Sequence, residues 1–536
     1  GCESGGDPKN IPDLTYENFL NFHRTYYHPS NSYIYLYGNM DMEEKLNFLD
    51  EHYLSHFEYL DVDSVIREQR AFDECRDVTL EYPIAENEGE EDNTYLSYNM
   101  IAGNAGDSQM AMAFEVLDYA LLSAPGAPLK QALLDAKLGK DVYGSYDDGI
   151  LQPYFTVIAK GSNPDRKEEF VSVIRQVLGD IVKNGIDKKA VEAGINYFEF
   201  RYREADFSSY PKGLMYSLDI LGDWLYESKA PFAQVQMLKV FENLKKAVNE
   251  GYFEALIRRY LLENPHGCIL TLVPKKGLAA QREKELEEKL EAYRSSLSEE
   301  ELNTMVEKTK ALEAYQESDE DPEALECIPM LKRSDIKKEA GNFVNEELSV
   351  DDSLFLYHEV CTNGIGYVDL MFKTDSIAPE QIPYLGLLKS VLGYVDTKDH
   401  TYGELFNEIN ANTGGINCGV EVFDRADSTE EFQAMFSVRG KALYTKLDFL
   451  FKMIQEILNS SKLEDTKRLY EIIASVKSRA QVNLTGAGHS TAVLRATAYS
   501  SPMAAFQDEM AGIGYYQFIE KLEKDFEQRK EETVEE

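Results

Sequence analysis

The sequence predicts an α+β fold in which one domain occurs twice, with antiparallel or mixed sheets that carry helices on one face, joined by a charged helical hairpin. Residues 95–205 and 367–484 show the same order of strands and helices. Within each copy, strands and long helices are mixed without strict β-α-β alternation, which favours antiparallel sheets covered by helices. Between the copies, residues 277–322 change to a strongly charged helical composition.

The chain begins with the end of a β/α unit. A stripe of Phe19, Phe22 and Tyr26 predicts a helix over residues 13–27. Pro29 ends it, and the alternating run "SYIYLYG" from residue 32 predicts a strand. The segment "DMEEKLNFLDEHYLSHF" predicts a helix that is capped by its first aspartate. Residues 58–92, which end in the acidic run "AENEGEEDN", predict an irregular domain boundary.

The repeat can be followed element by element. "YLSYNMI" from Tyr95 matches "YVDLMFK" from Tyr367, and two helices follow each strand. "LQPYFTVIAKG" then matches "EFQAMFSVRG" as a strand, and each is followed by two further helices. The offset of about 272–279 residues between the copies is far above the roughly 20–50 residues of solenoid repeats. The repeat therefore indicates a duplicated domain.

The stretch between the copies predicts two helices. The first has an apolar stripe of Leu286, Leu290 and Tyr293. The second, over 299–317, begins with a capping box of Ser298 and Glu301. A solvated linker hairpin is the favoured interpretation.

These elements predict four parts along the chain. The first, 1–70, is the C-terminal part of a first domain, and 71–276 is a second α+β domain. A helical linker spans 277–326, and a third α+β domain spans 327–536. A chain of 536 residues is long enough for this number of domains.

Composition excludes several classes of function. The net charge of −40, from 95 acidic and 55 basic residues, repels nucleic acid and anionic membranes and favours basic partners. No apolar run reaches the roughly 18 residues needed to span a bilayer. The six cysteines (Cys2, Cys75, Cys268, Cys327, Cys361 and Cys418) form no C-x-x-C pair. They predict reduced, structural thiols and hence the cytoplasm or an organelle matrix.

Neither catalytic zinc motif, H-E-x-x-H or H-x-x-E-H, occurs in the sequence. "FLDEH" has Glu51 and His52 in register, but Phe48 takes the place of the first ligand. "HEVCT" has His358 and Glu359, but a threonine (Thr362) replaces the second histidine. A single histidine cannot hold catalytic zinc.

The remaining histidines favour structural roles. His23 and His28 flank the end of a helix, and His52 and His56 lie four apart without a glutamate between them or a third ligand. His266, His400 and His489 are isolated in sequence. We therefore predict no catalytic and no metal-ligating residue in this chain and leave substrate-binding residues open.

Other chemistries are equally weak. The sequence has no G-x-S-x-G and no G-x-x-x-x-G-K-[ST]. The glycines of "NTGGINCG" (412–419) favour a turn over a phosphate site. "SYDDGILQPYF" and "RADSTEEF" place acids in loops before a strand, where solvated loops are favoured over a cation site.

Several segments resemble one peptidase family. "SGGDPKNIPDLTYENFLNFHRTYYHPSNSYIYLYGNMD" resembles the late first domain of presequence-protease-type peptidases, a branch of the insulinase/pitrilysin family. "YGSYDDGILQPYFTVIAKG" resembles their second domain, and residues 277–322 resemble their helical linker. "TGAGHSTAVLRATAYSSPMAAFQDEMAGIGYYQFIEKLEKDFE" resembles the end of the third domain. The likeness is collinear over nearly the whole chain, and the family's four similar α+β domains agree with the repeat.

The resemblance implies a zinc endopeptidase whose lobes close around unfolded peptides, basic ones among them. It places the H-x-x-E-H ligands upstream of residue 1 and a fourth domain after residue 536. We therefore expect a central fragment that binds no zinc, is inactive alone and pairs with the remaining domains of its parent. The missing initial Met and the mid-domain start favour this interpretation. Two alternatives stay open: a complete non-catalytic partner or binding subunit that needs a zinc-bearing half, and an unrelated acidic scaffold.

Overall fold

The computed structural model describes residues 5–124, 126–229, 231–328, 330–339, 341, 344–428 and 430–535. The N-terminal segment contains two helices, Tyr16–Tyr26 (α1) and Met42–His52 (α2). Helix α1 begins with a capping box, in which the Thr15 side chain accepts a hydrogen bond from the backbone N–H of Asn18 at 3.1 Å. Cys2 lies outside the described residues, and the other five cysteines are free thiols.

The first copy of the repeat combines a sheet with helices. In chain order, its strands and helices are Arg76–Ile84 (β1), Thr94–Ile101 (β2), Ser108–Asp118 (α3), Pro128–Asp135 (α4), Asp141–Asp147 (β3), Tyr154–Ser162 (β4), Lys167–Asn184 (α5), Lys188–Glu204 (α6), Lys212–Trp224 (α7), Leu238–Ala247 (α8), Tyr252–Leu256 (α9) and Gly267–Lys276 (β5).

The linker helices and the second copy follow. The linker consists of Leu278–Ser296 (α10), Glu299–Glu317 (α11) and Pro322–Leu325 (α12). The elements of the second copy are Glu346–Val350 (β6), Ser353–Tyr357 (β7), Ile365–Lys373 (β8), Ile382–Val391 (α13), Tyr402–Asn412 (α14), Ile416–Asp424 (β9), Phe432–Leu443 (β10), Leu447–Ser460 (α15), Thr466–Gly486 (α16), Gly488–Thr497 (α17), Pro502–Ala511 (α18), Ile513–Lys524 (α19) and Phe526–Glu535 (α20).

The sheets confirm the predicted duplication. The first sheet has the order β1-β5-β2-β4-β3, and the second has the order β8-β10-β9. In both copies the later strand, β4 or β10, lies in the middle and pairs antiparallel with both of its neighbours. The single parallel pair among the described strands joins β1 to β5. The fold class is therefore α+β with mixed and antiparallel sheets, as the sequence predicts.

Each copy has its own apolar core. In the first, alternate residues of β2 (Leu96, Tyr98 and Met100) are at most 1% exposed and pack in a cluster with residues of the helices. In the second, Val438 of β10 and Leu450 of α15 are fully buried in an equivalent cluster. Separate cores are what independently folding domains require. The boundaries at 70, 276 and 326 stay predictions.

The linker helices follow their predicted limits closely. The capping box forms as expected, since the backbone N–H of Glu301 donates to Ser298 Oγ at 3.2 Å. The carboxylate of Glu301 accepts a hydrogen bond from the backbone N–H of Ser298 at 2.8 Å. The apolar stripe on α10 is more than half exposed: Leu286, Leu290 and Tyr293. Solvent therefore surrounds much of this linker.

Two predicted elements of the N-terminal part are wrong. Residues 32–38 are extended, but they pair with no strand among the described residues. Their tyrosines contact α7 instead, and the rings of Tyr33 and Trp224 lie 4.4 Å apart. The stretch 58–92 is not wholly irregular, because it contains β1. The acidic run that follows β1 is therefore a loop within one sheet and not a domain boundary.

The two copies contact each other through α6 and α14. At the end of α6, Lys441 Nζ of β10 donates to both carboxylate oxygens of Glu204, each at 2.7 Å. The hydroxyl of Tyr367 donates to the same carboxylate at 3.0 Å. Burial, followed by the hydrogen bond to Glu204 and the charge of that residue, raises the pKa of Tyr367 to about 12. We call this contact the junction.

Candidate functional site

The two histidines near the first helix have structural contacts. His28 Nδ1 accepts a hydrogen bond from the backbone N–H of Ser30 at 3.2 Å. Its ring lies edge-on to Phe57 with centroids 5.4 Å apart. The ring of His23 stacks on Tyr27 at 4.8 Å. These contacts account for both side chains at a helix–turn junction.

The near-miss zinc motifs are not completed in space. The ring of His52 packs on Phe48 at 4.6 Å, at the place where a ligand would be needed. His358 follows β7, and its Nδ1 lies 2.8 Å from the carbonyl oxygen of Val344. Among the residues that the structure describes, no group of three or more His, Cys, Asp or Glu side chains is arranged to hold a metal ion. The described residues therefore do not fit catalytic zinc.

Two histidines that are isolated in sequence have partners in the fold. His266 is buried, and its Nδ1 accepts from the backbone N–H of Phe72 at 3.3 Å. Burial and then the Arg76 charge lower the pKa of His266. His400 Nδ1 lies 2.8 Å from a carboxylate oxygen of Glu456. The hydrogen bond to Glu456 raises the pKa of His400.

The glycine-rich segment before β9 forms the predicted turn. Gly415 has φ +114°, a conformation that favours glycine. The N–H of Gly414 donates to the carbonyl of Lys441 at 2.7 Å, and the N–H of Gly415 donates to Thr413 Oγ1 at 3.0 Å. Both amides are thus used within the protein, which argues against a phosphate site here.

The two acid-bearing loops differ sharply. In the second copy, Arg425 pairs with Asp427 at 3.0 Å and with Glu431 at 3.2 Å, so that loop neutralises much of its own charge. Thr429 of this loop lies outside the described residues. In the first copy, Asp148 follows β3 and is half-buried. Burial raises its pKa, and the carboxylates of Asp223, Asp147 and Asp219 raise it further.

Asp148 belongs to a group of acids that we call the carboxylate cluster: Glu115, Asp118, Asp148, Asp219 and Asp223. Three different elements supply it, namely α3, the loop after β3, and α7. No Lys, Arg or His nitrogen among the described residues lies within 4.0 Å of these five carboxylates. Several negative charges thus share one region of the first copy without a direct counterion.

Asp223 is the most deeply placed member of the cluster. It is 3% exposed, and its Oδ1 accepts a hydrogen bond from the backbone N–H of Gly106 at 3.0 Å. Its Oδ2 is buried without a hydrogen-bond partner among the described residues. Asp219 lies one helical turn earlier on α7 and is exposed to solvent. The cluster therefore extends from the interior to the surface.

The electrostatics of the cluster favour a cation. Burial raises the pKa of Glu115 to about 7, with further contributions from the charges of Asp148 and Asp118, while the Arg201 charge lowers it. Burial also raises the pKa of Asp118, whose Oδ2 accepts from Ser123 Oγ at 3.0 Å. Like charges held close together disfavour ionisation. An incoming ammonium or guanidinium group would relieve this repulsion.

Sequence reasoning found only one edge of this cluster. It singled out the acids of "SYDDGILQPYF" but missed Asp219, Asp223 and Glu115. A local signal was present, because Asp219 and Asp223 lie four residues apart in the otherwise apolar run "LMYSLDILGDW". Nothing in the sequence indicates that α3 and α7 bring their acids to the same loop.

Comparisons with known proteins agree with this fold. The family model described as Peptidase M16 inactive domain matches residues 13–198, and the model for the domain associated with subfamily C of peptidase M16 matches residues 272–522. The chain therefore belongs to the peptidase M16 family, the insulinase/pitrilysin family of metallopeptidases, and to its presequence-protease branch.

Particular relatives match almost the whole chain. "Protein HypA" of Clostridium perfringens is 40% identical over 522 residues, which cover 97% of this chain and 54% of that protein. "Presequence protease 1, chloroplastic/mitochondrial" of Arabidopsis thaliana is 32% identical, and the match covers 98% of this chain and 49% of that protein. The chain thus spans about half the length of the curated relatives that it matches.

Among solved structures, the periplasmic protease PqqL from Escherichia coli is similar, with a TM-score of 0.37 and 12% identity over 96% of this chain and 54% of that one. No helix in the described part of the chain is both long and apolar enough to cross a membrane.

Proposed function

We propose that this chain is the non-catalytic central part of a zinc metalloendopeptidase that degrades unfolded peptides in a closed chamber. One observation carries the proposal: the chain matches presequence proteases over 97–98% of its length, yet its sequence contains no H-x-x-E-H motif. A water activated by zinc needs such paired ligands and a glutamate base. The chain alone is therefore expected to bind no catalytic zinc and to cleave nothing.

Metal analysis and a cleavage assay on the purified chain test this proposal. The expected result is far less than one zinc per chain after dialysis, and no cleavage of an unstructured fluorogenic peptide. One firmly held zinc per chain, together with cleavage that a chelator abolishes, would overturn it.

The alternative proposal is a complete non-catalytic partner that acts with a separate zinc-bearing half. Such a subunit would fold in the same way and would also lack zinc. The parent reading frame distinguishes the two proposals. An upstream H-x-x-E-H in the same frame supports the central fragment, whereas a start codon close to residue 1 supports the separate subunit.

The carboxylate cluster supports a preference for basic peptides. A half-buried group of acids without a direct counterion stabilises a lysine or arginine side chain that enters it. The net charge of −40 would also attract such peptides over longer distances at low salt. Basic unfolded peptides are thus the proposed partners, in a reducing compartment such as the cytoplasm or an organelle matrix.

Fluorescence anisotropy with a labelled, unstructured lysine- and arginine-rich peptide tests this preference. Asp148→Asn is expected to raise the Kd about two- to five-fold, the range for a partly exposed ion pair. Asp427→Asn is the matched control, because Asp427 occupies the corresponding loop of the second copy and already pairs with Arg425. Equal effects of the two substitutions, or no dependence of binding on salt, would contradict the assignment.

A further inference from the structure

The first copy shows how its sheet is completed. Strand β5, the last element of that copy, inserts between β1 and β2. It runs parallel to β1 and antiparallel to β2, opposite Tyr95–Met100. The strands β1 and β2 follow each other in the chain, but they are separated in the sheet by this one later strand.

The second copy repeats the flanking strands without the strand between them. β7 precedes β8 as β1 precedes β2, with a short connection over residues 358–364. Among the described residues, β8 pairs only with β10, and β7 pairs only with β6. One edge of β8 thus has free backbone N–H and carbonyl groups at the position where β2 binds β5.

Exposure of apolar side chains marks the same place. In β7, Leu354 is 70% exposed and Phe355 and Leu356 are each 48% exposed. In β8, Phe372 is 47% exposed, whereas Met100, its counterpart in the repeat, is 1% exposed in β2. A long apolar edge left unpaired is a template for adding a strand.

We propose that β7 and β8 form a slot for one more strand, parallel to β7 and antiparallel to β8, opposite residues 367–372. The occupant is an extended segment of the same polypeptide that follows residue 536. This inference rests on the proposed function, in which the chain is the central part of a longer protein.

Two observations favour this occupant. In the first copy, helices α8 and α9 lead directly into β5, and the second copy likewise closes with helices, of which α20 is the last. The matched relatives also contain about as much chain again as this one covers. By analogy with "GCILTLVPKK" of β5, the segment should be rich in β-branched and apolar residues.

Hydrogen exchange measured by mass spectrometry tests the slot. The present chain is compared with the natural polypeptide extended past residue 536. Amides of 353–357 and 367–372 are expected to exchange at least tenfold more slowly in the extended chain. Strands β4 and β10 are the internal controls and should be protected in both, which shows that both proteins are folded.

Each other outcome overturns the proposal. Equal exchange of 367–372 in both chains would mean that no strand adds to β8. Protection in the present chain that rises with its concentration would identify a second copy as the occupant. Protection of the extended chain only after an unstructured peptide is added would identify a substrate strand. The zinc and cleavage assays are independent of this readout, so the slot and the proposed function can fail separately.

Discussion

Replacing Glu115 by glutamine should stabilise the first copy above neutral pH. In the fold, burial raises the pKa of Glu115 from 4.5 to about 7. The folded protein therefore binds this proton more tightly than the unfolded chain does, so the free energy of unfolding falls as the pH rises from about 4.5 to about 7. A displacement of this size corresponds to about 3 kcal/mol. Glu115→Gln removes this cost and should raise the free energy of unfolding by up to that amount at pH 8.

The single tryptophan offers a local assay. Trp224 ends α7, directly beside Asp223 of the carboxylate cluster. Urea unfolding followed by Trp224 fluorescence at pH 5 and pH 8 should show a smaller dependence on pH in Glu115→Gln than in the parent chain. Glu313→Gln, on exposed helix α11, is the matched control and should leave that dependence unchanged. The reasoning fails if the parent chain gains stability between pH 5 and pH 8 and the variant follows it.

Three further perturbations probe the two copies. Phe114→Ala removes a fully buried ring and should cost about 3–5 kcal/mol; limited proteolysis should then cleave the first copy faster and leave the second unchanged. Gly144→Ala places a Cβ 2.5 Å from the carbonyl oxygen of Thr156, so the same assay should show a destabilised first copy, and unchanged cleavage would refute the clash. The Glu456 hydrogen bond raises the pKa of His400, so its contribution to stability is present below about pH 6.5 and is lost as the pH rises through the raised value. Glu456→Gln should remove that dependence from thermal unfolding of the second copy.

Much of the fold could be predicted because its signals are local. The order of elements in both copies followed from helical and strand periodicity, and the Ser298 capping box fixed the start of α11. Strands β3 and β9 were missed because glycines, which weaken strand patterns, lie within them. Gly144 is required at its position, since a Cβ there would meet Leu122 and the backbone of Thr156. Strand β1 was missed because an edge strand with charged and exposed residues resembles a loop in sequence.

The site was less predictable than the fold. Asp148 could be singled out from its loop, but its environment depends on acids from α3 and α7, which lie far from it in sequence. The strand predicted at residues 32–38 illustrates the same limit. Its alternating tyrosines satisfy the pattern of a strand, yet they pack on α7, and pairing is decided by neighbours that the pattern does not contain.

The exposed linker helices bear on how strongly the two copies need to hold each other. A covalent tether turns their contact through α6 and α14 into an intramolecular equilibrium, in which the effective concentration of one copy around the other is high. The Glu204–Lys441 ion pair can therefore keep the copies together even if its intrinsic affinity is modest. A protease cut at the solvent-exposed turn near Leu297 would remove that advantage, and the two pieces would then separate on dilution.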